Sequence, residues 1–573
     1  MQQNWTPAFA TSELPTPGAK RFRPRPGQRI AVVRLADGEI YAVDDACPHE
    51  GYPLSQGQLD GCVLTCIWHN FKFDVRDGQC IKGEEAVRTY PVRVHDGMVE
   101  LDLTEADVSD RITKTYDSLE HGILQQRLGS ASRDVVRLLL DGESPEALLG
   151  HAASLDARYA QWGPSHALPV AADALALLPY LPGLQATAAI MQPLELVGLH
   201  TRRPLRQRAE LPQSSGDGLT QLRLAVEAED GLMAEALVRA AVREGVPLAT
   251  LQSWLLQLCA DHFLAFGHRL IQTIKAFDLL ERTGPSFAED ILGALAFGIS
   301  HGTREEQVPE WLHWRRQVEA LDVTALWRAQ QGSTRGPLPT TVLEAVLDGG
   351  RGAAIDAVAE ALGSGVALES VVDALSVAAA HRMLRFEVRH DGDPTVQNGW
   401  LDVTHPMTFA NATRHAVRRL DSPDAVRLVL QATEFIHRHR PLDGPVHATS
   451  TGVVHADPEA VLAAIVAKDA PLALGAAAAC LGRDEPRQAL RDTMTTLVLQ
   501  DITPVPIAAA HVLKVAVAAW DEWDALPAGP HRSAPVLAAV RLAASPLQQR
   551  WLARRVHEAI RFVAEGSVPR LLA

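Results

Sequence analysis

What this 573-residue chain has little of narrows it first. Six cysteines cannot build a disulfide framework at this length, so a reducing compartment is expected. No uninterrupted apolar stretch approaches the roughly 18 residues of a membrane helix. Residues 1–18 offer Pro and polar residues where a signal peptide needs a charged start and an apolar run, so a cytoplasmic location is expected. Positive charge is short as well: 54 Lys and Arg stand against 69 Asp and Glu, a net −15. That excludes a general nucleic-acid binder, which needs a basic footprint. What the chain has in surplus is histidine, 22 residues of it, and 47% of its positions are hydrophobic, enough for a large interior.

At about 150 residues per domain the length suggests three or four units, and the grammar changes once along it. Arg29 to Leu35 and Glu39 to Val43 are β-branched runs split by the turn Ala36-Asp37-Gly38. Val92 to His95 and Met98 to Leu101 flank Asp96-Gly97, a strong hairpin signal. Residues 1–106 therefore read as a small β domain and 107–116 as a polar linker. Residues 117–573 read as all-α, with Ala- and Leu-rich stretches broken at 202–221, 328–341 and 439–458.

The β domain carries Cys47-Pro48-His49 and, sixteen residues on, Cys66-Ile67-Trp68-His69. One Cys and one His from each of two loops is a ligand set for a [2Fe–2S] cluster with thiolates on one iron and imidazoles on the other. Zinc also takes two Cys and two His, though zinc fingers pair like with like.

The flanks Cys47 to Gly57 and Cys66 to Asp74, with Gly78 after them, closely resemble a Rieske ferredoxin over residues 3 to 106. The resemblance implies that Cys47 and Cys66 bind one iron and His49 and His69 the other. Rieske ferredoxins commonly have Pro after the second-box Cys and Gly after its His, where this chain has Ile67 and Asn70. The extra cysteine pair of high-potential respiratory Rieske proteins is missing from both boxes, and Cys62 and Cys80 read as ordinary thiols. A potential low in the Rieske range, which begins near roughly −150 mV, is expected.

The helical part repeats itself. Phe266-Gly-His268 and Val403-Thr-His405 each open a helix; upstream, helices end near Asp261-His262 and His381; downstream, others end at His301 and His437. Degenerate copies lie around His166, with His200 after it, and around His511. Four repeats over 117–205, 220–328, 340–440 and 455–570 are expected. Equivalent His in facing repeats can converge on a metal, and imidazole suits iron, copper and zinc. His262, His268, His301, His381, His405 and His437 are the candidate ligands of a mono- or dinuclear non-haem iron site, with His268, His405 and Asp261 the candidate catalytic residues.

A Rieske domain suggests a ring-hydroxylating oxygenase, but the iron motif of that family fails here. Asp402 and His405 fit its first pair, whereas Ala410 stands where the second His belongs. The helical half is loosely similar to questin oxidase-like proteins through the His-opened helices at His166, His268 and His405. The expected function is electron delivery from the cluster to a His-ligated iron, with O2-dependent oxidation of a small organic substrate. With no glycine-rich dinucleotide fingerprint between a strand and a helix, electrons must come from a separate reductase. No nucleic-acid or membrane partner is expected, and a homo-oligomer is compatible with the sequence. The alternative is a redox carrier or sensor whose helical half is a metal-free docking scaffold.

Overall fold

A computed structural model describes residues 4–83, 85–105, 107–201, 207–212, 217–393, 396, 399–444, 456–497, 499, 503, 505–547, 556, 557, 559–561 and 564. Two compact units divide at Gly142/Glu143, the first built around β strands and the second helical.

In the first unit, β1 (Trp5–Ala10), β11 (Met98–Asp102) and β10 (Val92–His95) form one sheet, and β2 (Gly18–Phe22), β3 (Ile30–Arg34), β4 (Ile40–Asp44) and β9 (Thr89–Tyr90) a second. A third joins β5 (Gln58–Asp60), β6 (Val63–Thr65), β7 (Lys72–Asp74) and β8 (Cys80–Lys82), and all the pairings are antiparallel. Side chains alternate across a strand, and β3 uses this to serve two cores. Ile30 and Val32 join Phe9, Val99 and Leu101, while Ala31 and Val33 join Leu54, Leu64, Phe73, Cys47 and Cys66. The expected Asp96-Gly97 turn has both residues at positive φ, 48° and 73°, as a two-residue hairpin of this type requires.

The expected linker is not a loop. Asp107 accepts the Ser109 N–H at 2.9 Å and caps a helix over Val108–Leu124, followed by a second over Leu128–Leu140. Both belong to the first unit, so its boundary falls near residue 142 and not 106. Glu85, which precedes β9, receives Arg133 at 2.8 Å and Arg137 at 2.5 Å, fastening the second helix to the β domain. The polar composition of 107–116 is that of a cap and a half-exposed first turn.

At the centre of the second unit stand α1 (Ala167–Leu177), α2 (His268–Thr283), α3 (Trp400–Val417) and α4 (Pro506–Ala525). They close a ring in which α1 packs on α2 and α4, and α3 packs on the same two. The backbone breaks before α2, where Ala265, Phe266 and Gly267 all have positive φ. Glycine is required at 267, because a Cβ there would lie 2.6 Å from the Phe409 ring. α3 begins at Trp400, a turn earlier than the sequence reading placed it, with Pro406 inside the helix. The expected breaks at 202–221 and 439–458 fall partly outside the described residues, and the one at 328–341 separates helices ending at Ala329 and starting at Thr340.

Below the ring the helices are locked by buried ion pairs. Arg414 on α3 reaches Glu522 on α4 at 2.6 Å and Asp373 at 2.7 Å, all three buried. Removing one partner strands a charge, which costs about 3–5 kcal/mol. Glu522→Ala should therefore lower the unfolding midpoint of the helical unit, followed by helical circular dichroism, while the β unit keeps its stability.

Candidate metal centres

In the first unit Cys47 and Cys66 begin two loops with the same wiring. The Cys47 N–H donates to Tyr52 O at 2.8 Å and the Gly51 N–H to Cys47 O at 2.7 Å. The Cys66 N–H donates to Phe71 O at 2.8 Å and the Asn70 N–H to Cys66 O at 3.0 Å. Gly51 and Asn70 occupy matching places at φ 76° and 58°. Asn tolerates the left-handed region better than other side chains, so it substitutes for the expected glycine without changing the loop. The loops also cover each other: Tyr52 stacks on Trp68 at 4.1 Å and Phe71 on His49 at 4.7 Å. Asp45, fully buried, accepts the Ser55 N–H and pairs with Arg21, holding the first loop to the sheet.

This folding leaves two buried thiols and two imidazoles near the surface. His49 Nδ1 and His69 Nδ1 stand 3.1 Å apart. Burial pushes the Cys47 thiol up to about 11, with Cys66 beside it adding to the rise. A thiol so placed becomes a thiolate only when a metal takes the proton's place. The donor set, two thiols beneath and two converging Nδ1 atoms above, suits a Rieske cluster. Ile67, where such loops commonly have Pro, is more than half exposed and touches none of this wiring. Cys62 and Cys80 are in no disulfide, and Cys62 donates to Asp74 at 3.6 Å.

In the second unit the ring of helices brings four imidazoles together, one from the start of each. His166 immediately precedes α1, His268 opens α2, His405 sits in the second turn of α3 and His511 in the second turn of α4. Their Nε2 atoms form a chain: His166 to His268 at 3.3 Å, His268 to His405 at 3.0 Å, His405 to His511 at 3.4 Å. On three of the four rings the other nitrogen is taken by the backbone. His268 Nδ1 donates to Ala265 O, His405 Nδ1 to Leu401 O and His511 Nδ1 to Ile507 O.

A carbonyl can only accept, so each of these three rings carries its proton on Nδ1 and has a bare lone pair on Nε2. Bare lone pairs about 3 Å apart repel unless something positive lies between them. A proton is a poor candidate, since burial pushes His268 down to about 3 and drives His166, His405 and His511 well below the ordinary value. A metal ion fits. The ligand nitrogens of His166, His268 and His405 all lie within 4.8 Å of one another, with His511 reached through His405. Nitrogens bound at about 2.0–2.1 Å stand roughly 2.9–3.4 Å apart, and a backbone acceptor on the far nitrogen is the usual support of a ligating His. His405 and His511 are buried, while His166 and His268 are partly exposed, so the centre opens on their side. Phe266 packs on His405 at 5.2 Å and on Phe435 at 4.9 Å, an apolar wall beside it.

Of the ligands expected from the sequence, only His268 and His405 are at this centre. His262 has both nitrogens engaged, by Glu306 at 2.8 Å and Glu227 at 2.7 Å; burial opposes its charge, but the two carboxylates raise its pKa. His301 donates to Phe297 O and stacks on the Phe297 ring. The His381 ring stands 6.1 Å from that of His531, and His437 donates to Val346 O. Asp261 pairs with Arg223 at 2.8 Å and lines, with His262, a separate cavity of about 300 Å³. These five are corrections to the expected set. Their helix-end positions repeat along the chain, but none of them joins the four imidazoles. His166 and His511 were absent from that set, although the matched intervals around them carried the signal.

A family model described as the Rieske [2Fe-2S] domain matches residues 4–93. The chain is 42% identical over 87 residues to a 4beta-methylsterol monooxygenase of Methylococcus capsulatus (strain ATCC 33009 / NCIMB 11132 / Bath), a match spanning 13% of this chain and 23% of that protein. It is 35% identical over 105 residues to the ferredoxin component of a 2,4-dinitrotoluene dioxygenase system from Burkholderia sp. (strain RASC), spanning 18% of this chain and 99% of that protein. A solved complex of reduced oxygenase and oxidized ferredoxin in carbazole 1,9a-dioxygenase aligns at 28% identity over 18% of this chain and 99% of the other, with a TM-score of 0.18. All these matches fall in the first unit, and the chain spans about a quarter of the length of the monooxygenase. Through residues 4–93 the chain belongs to the Rieske [2Fe-2S] domain family.

Proposed function

We propose that the chain is a Rieske-linked oxygenase in which two centres work in series. Cys47 and Cys66 hold one iron of the [2Fe–2S] cluster and His49 and His69 the other. His166, His268, His405 and His511 hold a single non-haem iron. The first group supplies one-electron transfer and the second activates dioxygen against a small organic substrate, with electrons drawn from a separate reductase. The observation that carries the reading is the run of Nε2 contacts at 3.0–3.4 Å among four rings, three of which commit their protons to backbone carbonyls. Zinc suits four imidazoles equally well, but it accepts no electron and so would not serve a centre fed by the Rieske unit.

The chain's own residues do the positioning. The carbonyls of Ala265, Leu401 and Ile507 fix the tautomers, so no ring has to give up a proton when the ion binds. Phe266 and Phe435 keep water from the side of His405, which favours oxidation of an apolar substrate over release of partly reduced oxygen. The exposed edge formed by His49 and His69 places the cluster's imidazole side where a partner can approach it. We further propose that the four central helices descend from four copies of one unit, 117–205, 220–328, 340–440 and 455–570, each giving one His.

Iron analysis tests the reading. The intact protein should hold about three irons per chain, two of them in the cluster. His268→Ala and His405→Ala should each remove the third iron and leave the reduced-cluster EPR signal in place, whereas Cys47→Ser should abolish the signal. Two irons per chain in the wild type would instead support a redox carrier with a metal-free scaffold. The depressed histidines set a second expectation. Between the ordinary His value near 6.5 and the folded values, which reach about 3 for His268 and His439 and about 4 for His381, only the unfolded chain binds the protons. The metal-free protein should thus be most stable above pH ~6.5. It should lose up to about 1.4 kcal/mol per pH unit for each such His as the pH falls toward 4, a loss measurable by denaturant titration across that range.

A further inference from the structure

His268 differs from its neighbours in what holds it. Leu401 and Ile507, whose carbonyls carry His405 and His511, lie inside α3 and α4, where regular helix fixes them. His268 is the first residue of α2, so no turn of α-helix stands before it. Its acceptor, Ala265 O at 2.5 Å, belongs to a turn in which Ala265, Phe266 and Gly267 have φ of 50°, 55° and 81°. Two adjacent residues other than glycine do not keep the left-handed region by themselves. Such a conformation persists only where the surrounding structure over-determines it.

The splint is the segment Thr303 to Glu306. The Ala265 N–H donates to Thr303 O at 2.8 Å, Leu264 bridges antiparallel to Arg304, and the Glu305 N–H donates to Phe263 O at 2.9 Å. The Gly267 N–H turns back to Leu264 O at 3.0 Å. The Phe266 N–H goes to a side chain instead: Glu305 Oε1 accepts it at 3.1 Å. Next door, Glu306 Oε2 accepts the Phe263 N–H at 3.1 Å, while its Oε1 meets His262 Nδ1. Arg438, the cation that acts on Glu305, reaches Glu310 at 3.7 Å and lies over the Trp311 ring at 4.3 Å. The Glu305 carboxylate is thus given to one backbone amide.

We propose that Glu305 is a positioning residue of the four-histidine centre. By accepting the Phe266 N–H it keeps the 265–267 turn left-handed, and the turn does two things at once. It presents Ala265 O to His268 Nδ1, which leaves the His268 lone pair on Nε2, 3.0 Å from His405 Nε2. It also sets the Phe266 ring against His405 at 5.2 Å and Phe435 at 4.9 Å. One carboxylate therefore governs the tautomer of one ligand and the apolar cover of another. Without it the Phe266 N–H loses its acceptor, the turn relaxes, and Ala265 O no longer holds the His268 ring. The inference rests on the reading of that centre as a metal site.

The test is competition for iron between the loaded full chain and a chelator, with the visible spectrum of the cobalt(II)-loaded protein reporting ligand geometry. Glu305→Ala removes the acceptor, and Glu305→Asp keeps the charge but falls one methylene short. Both should hold the third iron about ten- to a hundredfold less tightly and shift the cobalt bands, as loss of the support behind a ligating His does. Glu305→Gln keeps an oxygen at the same reach and should match wild type in both. The reduced-cluster EPR signal should be the same in all four proteins. If Glu305→Ala does not fold, Glu305→Asp against Glu305→Gln carries the comparison. A purely structural role would lower the unfolding midpoint of the helical unit and leave the cobalt bands in place. Wild-type affinity and bands in Glu305→Asp, or a Glu305→Gln protein as impaired as the alanine one, overturns the positioning role and leaves the centre standing. A wild-type protein that holds no iron beyond the cluster overturns the centre and the role together.

Discussion

An imidazole has one proton to give and one lone pair to offer, and in the helical unit the backbone has claimed the proton. His268, His405 and His511 each donate Nδ1–H to a carbonyl in the preceding turn, and their Nε2 lone pairs have nowhere to point but at each other. Four helices close into a ring around these nitrogens. A metal ion held between the rings, as proposed, would link folding of the bundle to its binding. The same feature explains why these histidines resist protonation: the site admits one positive charge, and burial disfavours its arrival as a proton.

The Rieske unit solves a related problem with different means. Its two loops have matching backbone hydrogen bonds, matching positive-φ residues at Gly51 and Asn70, and aromatic rings exchanged across the gap. Two buried thiols lie under two imidazoles near the surface. In both units a repeated local geometry, used twice or four times, builds a converging donor set that no single segment could supply.

Reading the chain in order recovered much of this and missed specific parts. The Cys-Pro-His and Cys-Ile-Trp-His boxes were legible because their ligands lie two or three residues apart within one loop. The hairpin at Asp96-Gly97 was legible because its chemistry is local. The helix over Val108–Leu124 was missed because its polar stretch acquires meaning only once Glu85 and the arginines of the next helix meet. Of the six helical histidines expected as ligands, only His268 and His405 meet. Repeat spacing marked helix-end histidines at His262, His301, His381 and His437 as strongly as the convergent ones, since period along a chain does not say which end of a helix faces inward.

By itself the sequence determined the Rieske loops, the change from strand to helix, and the recurrence of histidine at helix starts, because each is written in residues close together. Which four histidines meet was decided only by the tertiary structure. His166 and His511 are 345 positions apart, and their rings come within 5.1 Å only when α1, α2, α3 and α4 close into a ring. The surplus of histidine was visible from the start; the direction in which each lone pair points is a property of the packed bundle alone.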